Sequence, residues 1–335
     1  MTKRILIISN SSDLHADLME PVLKQKGSEA FRLNLDKFPK DYAISHEISN
    51  RQWQARLRHL PSENAIDLDN VGAAWTRKPG DFSFLSEDLP RQEKFHAEQE
   101  TRHLLNGLLH SMDCYWINHP IASQSALWKT EQSVRAARMG FKVAPSLVTN
   151  EPQAASKFWD QIQGDMVLKS LSSPFLAADK VSSEDRSVSG GLKTTLVTQA
   201  HMENIEAVKE LPCYFQRYFN KAFELRVTII GEQVFAAKIN SQDNEQTKVD
   251  FRDFTADVRY EAYQLPEEIE HKCREFVHSY QLQYGAMDII VTPEHEYIFL
   301  ENNPAGQFWF VQQRVPELAM MEALADTLIE GAACH

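Results

Sequence analysis

The chain begins with an apolar run at residues 5–8 that is followed directly by a polar stretch at residues 9–13. Continuous apolar runs are typical of parallel strands buried on both faces, and Ser, Asn and Asp favour the start of a helix. Apolar residues then recur at helical spacing over residues 14–23, and residues 30–33 alternate as a second strand does. This pattern predicts a βαβ opening and an α/β fold.

The same periodicities predict the elements of the rest of the chain. We expect a strand at 71–75, helices at 92–112 and 123–140, strands at 166–169 and 194–197, a hairpin of residues 225–230 and 234–238, a helix at 267–283, adjacent strands at 286–291 and 297–301, and a final helix from Pro316. Residues 182–191 are rich in Ser and Gly, which predicts the flexible tip of a hairpin between the strands at 166–169 and 194–197.

The composition is that of a globular protein with more than one structural unit. A length of 335 residues exceeds the roughly 100–200 residues of one domain, so we expect two or three units. The chain has 35 Lys and Arg against 47 Asp and Glu, a formal net charge of −12. This balance lacks the basic footprint of a nucleic-acid or anionic-membrane binder, so a phosphate-bearing ligand would need local basic groups.

The cysteines and the apolar runs predict a cytoplasmic protein. The four cysteines are widely spread with no CxxC pair, which indicates neither a zinc site nor a disulfide framework. The first apolar run is too short for a signal peptide, and no run approaches the ~20 apolar residues of a membrane span.

A basic pair, Arg77 and Lys78, follows the predicted strand at 71–75. Open α/β sheets bind their ligands at the carboxyl ends of strands, so both residues are candidates for contact with a substrate. A solvated basic pair is the alternative. The chain has no G-x-G-x-x-G, so nothing supports a dinucleotide site.

Three oxygen-bearing side chains belong to the last two predicted strands: Asp288 lies within one, and Glu301 and Asn303 lie at the end of the next. Charged groups inside apolar strands are costly unless they are paired or bind a metal, and oxygen donors of this kind suit Mg²⁺ held together with substrate phosphates. Alternation toward solvent would explain Asp288 alone, but it does not explain the polar run at residues 301–306. The pattern therefore favours a metal site.

Two lysines upstream, Lys129 and Lys169, are candidate phosphate ligands because a Lys is a compact cation. Each alone is more typical of a solvated side chain. Their order along the chain is what is specific: two lysines, a flap, a hairpin with Glu-x-Arg, an Asp, and then Glu-x-Asn.

This order resembles the ATP-grasp superfamily over nearly the whole chain. The motifs that carry the resemblance are SALWKT at 125–130, VLK at 167–169, FQRY at 215–218, ELRV at 224–227, DFR at 250–252, Asp288 and ENNP at 301–304. Together with WTRKP at 75–79, they are similar to the microviridin-type peptide maturases, the graspetide synthetases. The resemblance implies a pre-ATP-grasp α/β domain at residues 1–122, a central lid domain at 123–212 and a C-terminal antiparallel-sheet catalytic domain at 213–335.

The resemblance also implies roles for individual residues. Lys129 and Lys169 would hold the phosphates of ATP, the segment Gln216, Arg217 and Tyr218 would line the adenine slot through backbone groups, and Glu224 would bind the ribose. Asp288, Glu301 and Asn303 would carry Mg²⁺. Arg217 stands where many relatives have Glu, and the flap has fewer glycines than many of them.

The reaction that the resemblance implies is macrocyclisation of a ribosomally made precursor peptide. An Asp or Glu side chain would be activated as an acyl phosphate and joined to a Thr or Ser hydroxyl or a Lys amine. Arg226 and Arg252 are the candidates for stabilising the acyl phosphate and the later oxyanion, because guanidinium binds such groups in a fork, with Lys238 assisting.

The same resemblance implies a homodimer. Two alternatives stay open: a ligase that adds free amino acids to a peptide or protein terminus, and a non-catalytic nucleotide-binding regulatory protein.

Overall fold

The computed structural model describes residues 4–50, 52–162, 164–172, 194–251 and 257–335. The predicted flap at residues 182–191 and the candidate Arg252 lie outside the described residues.

The N-terminal part is built on a parallel sheet. Its elements are β1 (Arg4–Ser9), α1 (Leu14–Gln25), β2 (Ala30–Asn34), β3 (Tyr42–Ser49), β4 (Gln52–His59), β5 (Ala65–Asp67), β6 (Val71–Thr76), α2 (Arg91–Ser111) and β7 (Tyr115–Ile117). Four strands pair in parallel in the order β2-β1-β6-β7, which confirms the predicted βαβ opening. The strands β3, β4 and β5 form a separate antiparallel sheet.

The middle of the chain forms a small antiparallel sheet with helices. Its elements are α3 (Pro120–Ser125), α4 (Lys129–Arg138), β8 (Lys142–Val143), β9 (Ser146–Thr149), α5 (Pro152–Gln161), β10 (Met166–Lys169), β11 (Thr195–Leu196), α6 (Gln199–Glu203) and β12 (Cys213–Arg217). The sheet order is β11-β10-β12-β9. Antiparallel pairing of β10 with β11 confirms the predicted strand pair.

Two details of the middle part differ from the prediction. The helix expected at 123–140 is two helices, because the chain leaves helical geometry between Ser125 and Lys129. The predicted domain boundary at residue 212 falls just before β12, which pairs with β10 and β9 of the middle sheet.

The C-terminal part contains the largest sheet. Its elements are β13 (Phe223–Ile230), β14 (Gln233–Ile239), β15 (Tyr260–Ala262), α7 (Glu267–His278), β16 (Tyr284–Val291), β17 (Tyr297–Asn303), α8 (Trp309–Gln312) and α9 (Met320–Cys334). The order is β15-β14-β13-β16-β17-β8, antiparallel except where β8 joins β17. The predicted hairpin of β13 and β14 is confirmed. The helix α7 ends earlier than predicted, and Gln281 just beyond it has a φ of 59° that a helix cannot contain.

The final helix joins the C-terminal part to the N-terminal sheet. One continuous core contains Ile5 and Trp75 from the parallel sheet together with Leu324 and Leu328 from α9, all fully or almost fully buried. Apolar burial on this scale dominates folding free energy, so we expect the N-terminal part to depend on α9. Among the described residues, no helix is long and apolar enough to cross a bilayer.

Candidate active site

A cleft lies between the middle sheet and the C-terminal sheet. Strands β10 and β12 form one wall, and β13, β16 and β17 form the other. Eight of the predicted site residues line it: Lys129, Lys169, Gln216, Arg217, Tyr218, Glu224, Asp288 and Glu301. The fold therefore gathers groups from six elements that are far apart in the sequence, from α4 with Lys129 to β17 with Glu301.

Two carboxylates share one end of the cleft. Asp288 on β16 lies directly opposite Glu301 on β17, so both side chains are on the same face of the sheet. A β-bulge in the next step of this pairing leaves Leu300 as an extra residue, and both Leu300 and Glu301 line the cleft. Without the bulge, successive side chains would point to opposite faces.

Lys129 lies at this acidic end. As the first residue of α4, it donates a 2.7 Å hydrogen bond from Nζ to the carbonyl of Ser170, and its Nζ lies 3.3 Å from Oε2 of Glu301. The third predicted metal ligand, Asn303, lies opposite Ala286. Asn303 does not line the cleft as far as the structure describes it.

The donor set at this end fits Mg²⁺ bound together with phosphates. Within the described ranges, no group of three His, Cys, Asp or Glu side chains is placed to hold a metal. Asp288 and Glu301 supply two carboxylates on one face of the sheet, and Mg²⁺ at nucleotide sites is commonly held by one or two carboxylates plus phosphate oxygens. The residues present therefore fit the ion, with the nucleotide completing the site.

The wall of the cleft formed by β10 and β12 carries further predicted site residues. Lys169 donates a 3.2 Å hydrogen bond from Nζ to Oε1 of Gln216. The next two residues, Arg217 and Tyr218, line the cleft, but their backbone N–H groups donate to the carbonyls of Pro145 and Asp165 at 2.9 and 2.7 Å. These two N–H groups are therefore not available to adenine, and a backbone contact in this segment must use other groups.

A buried ion pair holds Glu224. Its carboxylate is 4% exposed and accepts a 2.8 Å hydrogen bond from Nζ of Lys221, which also donates to the carbonyl of Val249. Burial raises the pKa of Glu224 above its ordinary value, and Lys221 opposes the rise. Lys221 thus favours the ionised form of Glu224 at neutral pH.

Arg226 is held in place from two directions. Its Nη1 donates a 2.8 Å hydrogen bond to Oδ1 of Asp288, its partner in the β13–β16 register, and its Nη2 donates to the carbonyl of Gln307 at 2.9 Å. Burial acts to lower the pKa of Arg226, but Asp288 together with Tyr284 and Glu301 outweighs it, and the pKa is raised. Arg226 is thus a fixed cation that contacts Asp288, a residue of the cleft lining.

Lys238 is not brought to this site. It lies opposite Leu225 in the β13–β14 register, whereas Arg226 lies opposite Ala237. Neighbouring positions on a strand point to opposite faces, so Lys238 is on the other face of the sheet from Arg226. Its Nζ lies 4.9 Å from the ring centre of Phe223 and 3.6 Å from Glu261. The predicted assisting role of Lys238 is therefore not supported.

Two kinds of comparison found known proteins that are similar to this chain. Residues 4–124 match the family described as the MvdD pre-ATP grasp domain. The whole structure is similar to a RiPP-associated ATP-grasp ligase from Chryseobacterium gregarium, solved with ADP and a leader and core peptide, with a TM-score of 0.87 and 29% identity over 98% of this chain and 97% of that one. The chain has the fold of the ATP-grasp ligases.

A second solved relative of this ATP-grasp ligase is the macrocyclase MdnC from Microcystis aeruginosa MRC, bound with its precursor peptide MdnA. It has a TM-score of 0.84 and 28% identity, over 98% of this chain and 99% of that one. The macrocyclase MdnB from the same organism has a TM-score of 0.80 at 28% identity, over 98% of this chain and 100% of that one. Comparison with curated protein sequences gave no match.

The two residues of the basic pair after β6 lie in different environments in the ligase. Arg77 is 3% exposed and donates from Nε to Asp13 at 3.3 Å and from Nη1 to the carbonyls of Ala305 and Gly306. Arg77 therefore links the N-terminal domain to the segment after β17 by hydrogen bonds, and its side chain is not available to a substrate. Lys78 is exposed and lines a second cavity.

Sequence reasoning missed two groups of this ligase that position others. Lys221 precedes Glu224 by three residues, and a Lys just before a largely apolar strand that contains a Glu is the signal that would have indicated the pair. His15 accepts hydrogen bonds at Nε2 from the backbone N–H groups of Phe308 and Trp309, both at 3.1 Å. Nothing in the local sequence around His15 indicates a partner 293 positions away.

Proposed function

We propose that this ATP-grasp ligase joins side chains within a ribosomally made precursor peptide at the expense of ATP. The observation that carries the proposal is the similarity along 98% of the chain to two ligases solved with peptide, at 28–29% identity. One of them holds ADP beside a leader and core peptide, and the other is a macrocyclase with its precursor. The cleft described above supplies the cations and carboxylates that such a reaction needs.

The nucleotide would lie along the cleft. Lys129 and Lys169 are placed at separate points of the cleft wall where they can neutralise phosphate charge. Glu224, whose ionised form Lys221 favours, can accept hydrogen bonds from ribose hydroxyls. Arg217 and Tyr218 would line the adenine end.

Mg²⁺ would be held by Asp288 and Glu301, with Asn303 as the residue of this set that the cleft supports least. When bound, the ion offsets the charge of the phosphates during transfer. The carboxylates that would hold it are already ordered by cations, Asp288 by Arg226 and Glu301 by Lys129.

The reaction has two balanced steps. An oxygen of a peptide carboxylate attacks the γ-phosphorus, the bond from that phosphorus to the bridging oxygen breaks, and ADP leaves with the electron pair. The acyl phosphate is then attacked at its carbonyl carbon by a Thr or Ser hydroxyl or a Lys amine. Inorganic phosphate leaves, the attacking group loses a proton, and an ω-ester or ω-amide bond closes the ring.

Arg226 is the described residue best placed to stabilise the charge of these steps. Its Nε is a buried donor with no hydrogen-bond partner among the described residues, so the guanidinium has a donor beyond those used by Asp288 and Gln307. A donor fixed before the reaction stabilises developing negative charge without reorganisation. Arg252 stays a candidate for the same role.

Mass measurement separates this function from its rivals. With ATP, Mg²⁺ and a leader–core precursor, cyclisation removes one water per bond, whereas a ligase that adds free amino acids increases the mass by whole residues. A regulatory protein would release no ADP in response to peptide. We also propose that the enzyme is a cytoplasmic homodimer, which sedimentation of the purified protein would test.

A further inference from the structure

A second cavity lies at the carboxyl ends of β1 and β6. It is bounded by the turn after β1, by Lys78 after β6 and by the segment 307–313, and it encloses about 320 Å³ and opens to solvent. Asn10 ties two of its walls together by donating a hydrogen bond from Nδ2 to the carbonyl of Lys78. The volume is within the range of sites that bind organic ligands, and the carboxyl edge of a parallel sheet is where such sites form.

The electrostatics of this cavity favour an anion. The carboxylate of Asp13, which also lines it, is neutralised by Arg77 and accepts a hydrogen bond from Ser9. No described residue pairs with the ammonium group of Lys78. Partial burial and Arg77 lower the pKa of Lys78, Arg226 adds to this shift, and Asp13 opposes it. Because Asp13 is already paired with Arg77, a carboxylate that enters the cavity meets an ammonium group with no hydrogen-bond or ion-pair partner among the described residues.

The remaining lining suits a polypeptide. Trp309 and Phe310 are half-buried and supply apolar ring surface. Gln307 and Gln313 are exposed, and their side-chain amides have no hydrogen-bond partner in the part of the chain that the structure describes. Aromatic surface with a few free amide groups is the usual lining of a site that recognises side chains and backbone together.

This cavity adjoins the active site through Arg226. The Arg226 guanidinium carbon lies 5.9 Å from the ring centre of Phe310, and its Nη2 donates to the carbonyl of Gln307, both of which line the second cavity. On its other side, Arg226 contacts Asp288, which lines the nucleotide cleft. The two cavities are thus separated by one side chain.

We propose that the second cavity binds an acidic segment of the acceptor peptide, with Lys78 pairing with a carboxylate other than the one that is phosphorylated. The inference rests on the proposed function, because only a peptide substrate with several Asp or Glu residues offers one carboxylate to each cavity. A chain passing Arg226 would place one acidic side chain beside the γ-phosphate and a neighbouring one beside Lys78. Lys78 would then set which carboxylate reacts.

Kinetics of Lys78 variants test this assignment. The probe is the first member of a precursor panel, MdnA included, that the wild-type enzyme cyclises. For Lys78→Gln we expect the KM for peptide to rise by up to about fivefold, the range for an exposed charge pair, with the nucleotide Kd unchanged. Lys78→Glu should raise it further. Lys24→Gln, which removes an exposed lysine of the same domain from α1, should match the wild type.

Precursors with single Glu→Gln or Asp→Asn changes identify the partner. Replacing the carboxylate that pairs with Lys78 should raise the KM of the wild type to that of Lys78→Gln and leave the KM of Lys78→Gln unchanged. An unaltered KM in both Lys78 variants, or equal effects of every peptide change in both enzymes, would overturn the subsite while leaving cyclisation intact. If no precursor in the panel is cyclised by the wild type, the proposed function fails first and the subsite fails with it.

Crosslinking provides a measurement independent of turnover. Benzoylphenylalanine placed at the exposed Gln313 should crosslink to the core of the precursor, identified by peptide mapping. Crosslinks confined to the leader would contradict the subsite. The same group at Lys24 is the control and should give no crosslink.

Discussion

Arg226 and Asp288 face each other across β13 and β16, with the guanidinium Nη1 2.8 Å from the carboxylate Oδ1 and both residues buried. Their register fixes the pair: a shift by one residue would move either side chain to the other face of the sheet. Asp288 is thereby held in the cleft lining, and Arg226 is held between the cleft and the second cavity. The pair is the centre of the site.

Arg226→Lys should separate the charge of this residue from its geometry. Lysine keeps the positive charge beside Asp288 but loses the planar fork that also reaches Gln307. We expect a folded protein that binds nucleotide and whose peptide-dependent ADP release falls by about 100-fold, the typical loss of a preorganised donor. Arg226→Ala leaves a buried carboxylate without its partner and should cost about 3–5 kcal/mol in urea unfolding. Full activity of Arg226→Lys would contradict the catalytic assignment.

Gly306→Ala should displace the same guanidinium from the side of the backbone. A Cβ at position 306 would lie 2.6 Å from Cβ of Ala286 and 2.9 Å from Nη2 of Arg226. We expect a loss of about 1–3 kcal/mol in stability from overpacking and a larger proportional loss of turnover. Gly107→Ala on α2 meets no atom within 4 Å and serves as the control. It should be neutral or stabilising by up to about 1 kcal/mol.

Lys221→Met should weaken nucleotide binding through Glu224. Without the ammonium group, Glu224 is a buried carboxylate with no counter-ion at 2.8 Å, so its pKa should rise further and its neutral form should accept fewer hydrogen bonds. Binding of a fluorescent ATP analogue should weaken and become weaker still as pH falls. The double change Lys221→Met with Glu224→Gln should recover part of the lost unfolding free energy, because it removes the orphaned charge. Unchanged affinity in the single variant would refute the role.

His15 should make stability depend on pH. Burial lowers the pKa of His15, Asp13 opposes the shift, and Arg77 and Lys78 add to it. The unfolded chain therefore takes up a proton near pH 6.5 that the folded chain resists, so stability should fall as pH drops below 6.5, by at most about 1.4 kcal/mol per pH unit. His15→Gln does not titrate and should show a shallower decline in urea unfolding between pH 8 and pH 5.5. Identical declines would exclude His15 as the cause.

Much of this fold could be predicted because its strands are strongly apolar. The strands β1, β6, β13 and β16 are buried along nearly their whole length. Their local sequence pattern is therefore enough to predict them as strands. The antiparallel sheet of β3 to β5 was missed because β3 and β4 are largely exposed, and exposed polar strands resemble loops in sequence.

Site residues that belong to a sequence motif could be predicted. Residues whose role depends on which face of a strand they occupy could not. The motif order led to Lys129, Glu224, Asp288 and Glu301, and the cleft contains all four. Lys238 was misplaced because the hairpin register that puts it opposite Leu225 cannot be known from spacing alone. The sequence predicts Arg77 as a substrate ligand, but its side chain donates to the carbonyls at 305 and 306 instead. These partners lie more than 200 positions away, so the local sequence does not indicate them.

The ratio of ADP released to water lost from the peptide tests the central claim most directly. Wild-type enzyme, ATP, Mg²⁺ and a leader–core precursor should give one ADP for each water lost by mass, with Asp288→Asn giving neither product. ADP formed without any loss of mass, or a gain of whole amino-acid residues, would contradict peptide macrocyclisation.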